Sequence, residues 1–196
     1  CIDLEGVSAI LSITPYYNKP SQEGLYQHFK VIAEHSPLPI ILYTIFSSTI
    51  CNLEPETTLR LAEIPNIIGI KEASGNMNQI MYLLKHKPAD FLVISGDDAI
   101  TLPLMAVGMS GLISVVANAY PKEVADMVHL AMEGKFDQAK VLHEELLDIT
   151  QACFKEGSPS GIKAFLSLQN KVKYNMRLPL TPVSDNHFQH ITSILK

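Results

Sequence analysis

The feature that most constrains the fold is an alternation of short apolar runs with helix-length amphipathic segments. Apolar runs of strand length occupy 7–13, 39–43, 66–71, 90–95 and 111–116. A helical pattern follows each run, and the first of these, at 21–35, places Leu25 and Phe29 on one face. A repeated strand-then-helix order favours parallel strands joined by helical crossovers. The sequence therefore predicts an α/β fold with five βα units.

The pattern changes after residue 134. Helical periodicity alone continues through 135–154, 162–169 and 184–196, with no low-complexity linker before it. We therefore expect an α/β part at 1–134 and a helical appendix at 135–196. The chain opens with Cys1 rather than Met, in the middle of an apolar pattern. This start predicts that the chain is cut from a longer one.

Composition limits the function classes. With 196 residues, 47% of them hydrophobic and 18% charged, the chain can bury a full core. Its net charge of -5, without blocks of like charge, predicts neither a nucleic-acid partner nor a membrane one. The longest apolar stretch, at 104–120, is interrupted by Gly108 and Gly111 and makes a poor membrane span. Small molecules and other protein chains are the expected partners.

The cysteines and histidines suggest no metal or disulfide chemistry. Cys1, Cys51 and Cys153 are widely spaced, odd in number and outside any Cys-x-x-Cys motif. The seven histidines show no metal-ligand spacing. We therefore expect neither a disulfide framework nor a zinc site, and a reducing cytoplasm fits best.

Unusual polar residues follow the predicted strands where each strand ends. They are Tyr16, Tyr17 and Asn18, then Tyr43, Lys71, Glu72, Asp97, Asp98 and Asn118. In parallel α/β folds the carboxyl ends of the strands carry the ligand sites. These residues are therefore predicted to lie on the functional face.

Lys71 is the most informative of these residues, because it closes the apolar strand "IIGIK". A lysine in an apolar setting can attack a carbonyl and form a Schiff base, which then acts as an electron sink. The alternative is a strand-end lysine that pairs with Glu72 or is simply solvated. Tyrosines at the ends of the first two strands could relay protons to the amine, or could serve only packing.

Two further motifs carry weaker signals. The acidic turn "SGDDA" at 95–99 could bind a metal or cap the following helix, and the cap is the favoured interpretation. The stretch "SGN" at 74–76 has one glycine and does not match a phosphate-binding fingerprint.

Several long motifs, in this order, together resemble the dihydrodipicolinate synthase family, within the wider group that includes N-acetylneuraminate lyase. They are "TPYYNKPSQEGLYQHF" at 14–29, "LY" at 42–43, "IIGIKEASGN" at 67–76, "ISGDDA" at 94–99 and "GLISVVANAYPKE" at 111–123. The resemblance covers nearly the whole chain. It implies a (β/α)8 barrel with C-terminal helices, assembled as a dimer of dimers.

The resemblance also implies a reaction, the condensation of pyruvate with aspartate semialdehyde on the route to diaminopimelate and lysine. Neither metal nor organic cofactor is implied. Lys71 matches the Schiff-base lysine, Tyr43 the proton-relay tyrosine, and Tyr17 the tyrosine that reaches into a neighbouring subunit's site. Ile113 matches a residue lining the pyruvate pocket, and Tyr16 a tyrosine near the lysine-binding inhibitory interface.

Two departures from the family pattern bear on function. The family stretch close to Tyr-Asn-Val-Pro-Ser-Arg-Thr-Gly is "YTIFSSTI" at 43–50, so Ser48 stands where an arginine would hold the second substrate's carboxylate. Serine offers neither the charge nor the donor fork of arginine. The resemblance also implies that the chain begins just before the fourth strand, without the threonine pair that binds pyruvate. Five units cannot close an eight-stranded barrel.

Three interpretations of function remain open within the resemblance, and a doubly wound open sheet with an unrelated small-molecule site is the alternative outside it. The first is an aldolase-type lyase that uses Lys71 and Tyr43, with part of its barrel outside this chain. The second is a related 2-keto-acid lyase or aldolase with another aldehyde substrate, which Ser48 motivates. The third is a non-catalytic, truncated paralogue that associates with full-length subunits.

Overall fold

The computed structural model of the protein describes residues 3–195. Cys1 lies outside the described residues. The elements are β1 (Ile10–Ile13), α1 (Gln22–His35), β2 (Ile40–Thr44), α2 (Phe46–Thr49), α3 (Pro55–Leu61), β3 (Ile67–Glu72), α4 (Met77–His86), β4 (Leu92–Ser95), α5 (Thr101–Ala106), α6 (Pro121–Met132), α7 (Phe136–Phe154), α8 (Ser160–Leu168) and α9 (Asp185–Ile194). Two short 3-10 turns, Asp98–Ile100 and Val116–Asn118, complete them.

The four strands form one sheet in the order β1-β2-β3-β4, and every neighbouring pair is parallel. This confirms the predicted α/β class with parallel strands. The register aligns one residue from each strand in a single row across the sheet, namely Ile13, Tyr43, Lys71 and Ile94. Because a parallel sheet keeps aligned residues on the same face, this row brings the predicted tyrosine beside the predicted lysine.

Two of the helices that connect the strands, α1 and α4, begin at residues whose side chains cap them. The Ser21 hydroxyl accepts a hydrogen bond from the Gly24 N–H (3.2 Å), which starts α1. The Asn76 side chain accepts one from the Gln79 N–H (3.2 Å), which starts α4. The apolar faces of these helices are buried through Leu25, Phe29, Ile80 and Leu83. The sheet therefore has a helix-packed side that fixes its strands.

The prediction of a fifth strand at 111–116 is wrong, because only one residue of this run pairs with the sheet. Leu112 forms a single bridge with Ser95, and the chain then enters the turn Val116–Asn118. The backbone N–H groups of Val115 (3.0 Å) and Val116 (3.4 Å) donate to the Asp98 carboxylate. These donors are therefore not available for a strand ladder.

Asp98, in the acidic turn, caps a later turn of the chain. Its carboxylate accepts hydrogen bonds from the Ser114 hydroxyl and from the Val115 N–H, at the start of the turn Val116–Asn118. That the acidic turn also caps the helix immediately after it stays a prediction. Among the described residues, no group of three or more His, Cys, Asp and Glu side chains could hold a metal ion. The expectation that the site needs no metal or organic cofactor stays a prediction.

The residues divide into two compact units. The first contains the sheet and runs to Asp97, with Val107–Ile113 added. The second comprises Asp98–Ala106 and the chain from Ser114 onward. In the second unit α7 packs against α6, α8 and α9. The segment predicted as a helical appendix falls within this unit, and the predicted boundary at residue 134 stays a prediction.

Both cysteines in the described part of the chain are free and buried. Burial raises the pKa of the Cys153 thiol to about 12, and the negative charge of Asp98 adds to the shift. Burial also raises the pKa of the Cys51 thiol. Because the thiolate is the reactive form, both side chains are poor nucleophiles. Within residues 3–195, no helix combines the length and apolar character needed to cross a membrane.

Candidate active site

Lys71 is held inside the sheet near the carboxyl end of β3. Lys71 is only 9% exposed, and its neighbours on the adjacent strands are Tyr43 of β2 and Ile94 of β4. Residues on both faces of β3 are largely buried, which explains why the run "IIGIK" is apolar. A lysine in this position costs desolvation free energy, and the sequence retains it at a sheet end where ligands bind in such folds.

Lys71 and Tyr43 are in contact. The Lys71 Nζ lies 4.3 Å from the centre of the Tyr43 ring. Such a contact stabilises an ammonium group electrostatically and also fixes where the amine lies. Burial raises the pKa of the Tyr43 hydroxyl, so the phenol keeps its proton at neutral pH. The Lys71 amine thus lies over a ring whose hydroxyl group is protonated.

The backbone around Lys71 is tied to both neighbouring strands. The Ala73 N–H donates to the Thr44 carbonyl (3.0 Å), just beyond the end of β3. The Gly96 N–H donates to the Glu72 carbonyl (2.8 Å) from the other side. These bonds continue the parallel ladder past the lysine, so its main chain cannot fray into solvent.

Gly96 allows a close approach to Lys71 from β4. A Cβ atom at this position would lie 2.8 Å from the Ala73 Cβ and 2.9 Å from the Lys71 Cε. Both distances are below van der Waals contact, so the space that the lysine stem occupies exists because residue 96 has no side chain.

Gly96→Ala is expected to slow imine formation by Lys71 by about tenfold to a hundredfold, because the stem is flexible and yields first, carrying the amine away from Tyr43. The rate is measured as the time course of borohydride-trapped adduct with pyruvate. The control is Gly24→Ala, where the nearest atoms to an added Cβ are 3.3 and 3.4 Å away. An unchanged rate in Gly96→Ala would show that the stem accommodates the methyl group without moving the amine.

The other predicted tyrosines lie in the loop after β1 and have most of their surface open. Tyr16 is 70% exposed and Tyr17 is 88% exposed. The backbone of Tyr17 has φ 72°, in the left-handed region that non-glycine residues rarely adopt. Such a conformation costs free energy in a residue other than glycine.

The remaining predicted residues lie at the same end of the strands. Ser48 is exposed and belongs to α2, the short helix after β2. Ile113 is half-buried, and its N–H donates to the Ser95 carbonyl (2.9 Å) at the end of β4. The structure thus places Lys71 against Tyr43. Ser48 lies in the segment that follows β2, and Ile113 lies in a segment that pairs with the end of β4.

Glu72 and Gln79 form a polar contact next to the segment that carries Lys71. The sequence predicts Glu72 on the functional face and as a possible partner of Lys71, but it gives no role to Gln79. Glu72 is 1% exposed, and its Oε1 accepts hydrogen bonds from the Ser74 N–H (2.9 Å) and the Gln79 side chain (3.5 Å). The available signal was the strand alternation, which sends residues 71 and 72 to opposite faces.

Solved structures with the same chain path identify the class of fold. A dihydrodipicolinate synthase from Acinetobacter baumannii complexed with pyruvate matches with a TM-score of 0.94 at 40% identity, over 97% of this chain and 65% of that one. A homologue from Cyanidioschyzon merolae with lysine bound matches with a TM-score of 0.91 at 38% identity, over 96% and 64%. The chain is therefore an α/β protein with part of a (β/α)8 barrel.

Sequence comparison gives the family. The model of the Dihydrodipicolinate synthetase family matches residues 2–196, and the chain belongs to this family. The 4-hydroxy-tetrahydrodipicolinate synthase of Parabacteroides distasonis is 47% identical over 195 residues, which are 99% of this chain and 66% of the relative. That of Flavobacterium psychrophilum is 50% identical over 185 residues, 94% and 63%. The chain thus spans slightly less than two thirds of these relatives.

Proposed function

We propose that this chain carries the Schiff-base lysine of a lyase that condenses pyruvate with aspartate semialdehyde, on the route to diaminopimelate and lysine. The observation that carries the proposal is Lys71, 9% exposed near the end of β3, with its Nζ 4.3 Å from the centre of the Tyr43 ring. The bound pyruvate of the Acinetobacter baumannii relative supports pyruvate as the first substrate. The cytoplasm is the proposed location.

The proposed reaction uses the amine as a covalent catalyst. The unprotonated Lys71 Nζ adds to the keto carbon of pyruvate, and loss of water leaves an iminium ion. The iminium accepts the electron pair released when the pyruvate methyl group loses a proton, which gives an enamine. The enamine carbon attacks the aldehyde, the new alkoxide takes up a proton, and the iminium ion is regenerated. Addition of water to this iminium ion then breaks its bond to nitrogen, which releases the product and the free Lys71 amine. The Tyr43 hydroxyl is the proposed proton relay, since it is protonated at neutral pH.

Other predicted residues receive roles by the same proposal. Ile113 is proposed to line the pyruvate pocket. Tyr17 is proposed to reach into the site of a neighbouring subunit in a homotetramer, and its open ring at a strained backbone position supports this. Tyr16 is proposed to lie near an inhibitory lysine site, and the lysine-bound relative supports lysine as the ligand.

The test is pyruvate-dependent consumption of aspartate semialdehyde by the purified chain. We expect consumption with both substrates present and none when pyruvate is omitted. A chain shown to be folded that forms a reducible pyruvate adduct but consumes no aldehyde would favour the second candidate described next, or a partner-subunit role. A folded chain that does neither would contradict the proposal.

The second candidate is a related lyase with a different aldehyde, and the observation that favours it is the uncharged, exposed Ser48 in α2. An aspartate semialdehyde carboxylate would find no guanidinium at this position. An aldehyde without a carboxylate would lose nothing there. Comparing the consumption of charged and uncharged aldehydes separates the two candidates.

Ser48→Arg is expected to raise kcat/KM for aspartate semialdehyde by about tenfold to a hundredfold, the effect of one charge-assisted hydrogen-bonded contact. It should leave kcat/KM for an uncharged aldehyde within about threefold, because such a substrate has no carboxylate to pair. Ser47→Arg is the matched control, since Ser47 is its exposed neighbour in the same helix. An equal gain from both variants would assign the effect to general surface charge rather than to a carboxylate site.

A further inference from the structure

The carboxyl group of Glu72 lies directly behind the proposed nucleophile. Glu72 follows Lys71 in β3, and the alternation of a strand sends the two side chains to opposite faces of the sheet. The Glu72 carboxyl contacts Gln79 of α4, so it faces the helix-packed side. A charged carboxylate here would be costly, and a buried acid without a role would be easy to replace by an apolar residue.

The two oxygens of the Glu72 carboxyl group differ in their hydrogen bonds. Oε1 accepts from the Ser74 N–H (2.9 Å) and from the Gln79 Nε2 (3.5 Å). Oε2 is buried without a hydrogen-bond partner among the described residues. Burial raises the pKa of Glu72, and the neighbouring Asp97 adds to the shift, while the bonds from Ser74 and Gln79 oppose it. The group therefore stays protonated to a higher pH than an exposed glutamate.

Gln79 ties this carboxyl to the rest of the first unit. Its side chain exchanges two hydrogen bonds with the Asn52 amide, at 2.8 and 3.2 Å. The Gln22 side chain of α1 donates in turn to the Asn52 carbonyl (2.9 Å). A polar network thus connects α1, the segment before α3 and α4 to the carboxyl behind Lys71. Networks of this kind fix a geometry when their members are bonded to one another.

The network reaches Lys71 through the turn that follows β3. Glu72 Oε1 fixes the Ser74 N–H, and Ala73 lies between them in the chain. A Cβ atom at Gly96 would lie within 2.9 Å of both the Ala73 Cβ and the Lys71 Cε. Both groups therefore pack closely against the Gly96 backbone. A shift of the turn by a few tenths of an ångström therefore changes the space for the lysine stem.

We propose that Glu72 is a positioning residue for Lys71, whose buried carboxyl, bonded to Ser74 and Gln79, fixes the turn after β3 and so keeps the amine over the Tyr43 ring. This inference rests on the proposed function, because it takes Lys71 as the nucleophile. Glu72 touches no substrate in this account and acts only through the backbone that carries the lysine.

The primary test is the reactivity of Lys71 in Glu72→Leu, which keeps the bulk of the side chain and removes its hydrogen bonds. Each purified full chain is labelled with trace acetic anhydride across a pH series, and acetylation of Lys71 is measured by peptide mapping. The other lysines of the same sample serve as internal references. We expect the Lys71 labelling rate to fall by at least about tenfold, the scale of a misplaced reactive group.

Pyruvate trapping by borohydride is measured on the same variants. We expect the maximal trapping rate of Glu72→Leu to fall by about tenfold or more while the half-saturating pyruvate concentration stays within about twofold, because only the attack geometry changes. Glu72→Gln keeps an oxygen that can accept from Ser74 and Gln79, and it should restore the rate to within about threefold of the original chain.

Two further variants separate positioning from general destabilisation. Leu25→Ala removes a buried side chain of α1 outside the network and lowers stability without touching the turn. Gln79→Leu breaks the same network from the other end, and it replaces Glu72→Leu should that variant fail to fold. We expect Gln79→Leu to slow Lys71 labelling and Leu25→Ala to leave it unchanged.

Unchanged Lys71 labelling in a folded Glu72→Leu or Gln79→Leu chain would overturn the inference. Equal slowing in Leu25→Ala would also overturn it, since the effect would then follow stability alone. If the original chain traps no pyruvate, the proposed function fails, but acetic anhydride labelling still decides whether Glu72 positions Lys71. The two failures are therefore distinguishable.

Discussion

Lys71→Arg is expected to abolish the reducible pyruvate adduct, with a loss of at least about a thousandfold in trapping rate, the scale of removing a covalent nucleophile. Arginine keeps the positive charge and most of the length of the stem. Its guanidinium stays protonated at every accessible pH, so it has no free electron pair with which to attack a carbonyl. The expected loss therefore isolates nucleophilicity from charge. Intact mass after borohydride reduction measures it.

Lys122→Arg is the control for this variant. Lys122 lies in α6 and is paired with Asp126, at a highly exposed position. It should form the adduct at the rate of the original chain. An adduct of undiminished yield in Lys71→Arg would mean that pyruvate reacts with another amine, and the role assigned to Lys71 would be wrong.

Gly161→Ala is expected to destabilise the second unit by about 3 kcal/mol, at the upper end of what overpacking typically costs. Gly161 is the second residue of α8, and a Cβ atom there would overlap the Cys153 carbonyl oxygen and lie 2.7 Å from its carbonyl carbon. These atoms belong to the backbone of α7, so they cannot rotate away as a side chain would. The two helices must separate to admit a single methyl group.

Urea unfolding followed by circular dichroism measures this loss. The control is Gly24→Ala in α1, where the nearest atoms to an added Cβ are side-chain atoms of Pro20 and Ser21 at 3.3 and 3.4 Å, so only a small shift is needed. There the change should be neutral or stabilising by about 0.5 kcal/mol, because alanine favours a helix over glycine. A Gly161→Ala chain that unfolds at the original midpoint would contradict the close packing of α7 and α8.

The elements predicted well from the sequence depend on local signals. The run at 39–43 became β2 (Ile40–Thr44), and the run at 66–71 became β3 (Ile67–Glu72). Ser21 was the boundary expected for α1, and its hydroxyl caps that helix. Apolar periodicity and capping act over a few residues, so a single sequence carries them in full.

The fifth strand was predicted wrongly because a distant residue decides it. The run "GLISVV" has a strand composition, but the Val115 N–H binds the Asp98 carboxylate, 17 residues earlier in the chain. Periodicity within the run carries no information about that partner. A buried carboxylate that takes up backbone donors outweighs the β propensity of the valines.

The candidate site also contains features that the sequence predicts and features that it does not. The positions of Lys71 and Tyr43 at strand ends follow from the apolar runs before them, and parallel pairing makes them neighbours. The importance of Gly96 depends on a close approach between two strands, which no local pattern records. The buried network at Glu72 needs the placement of α4 against the sheet. Both features arise only after packing.

The measurement that tests the central claim most directly is peptide mapping of the chain after reduction with borohydride in the presence of pyruvate. The account predicts one reduced pyruvyl group per chain, located on Lys71, the lysine of the segment "IIGIKEASGN". Its yield should fall to background without pyruvate. A folded chain that carries no adduct, or carries it on a different lysine, would contradict the assignment of Lys71 as the nucleophile.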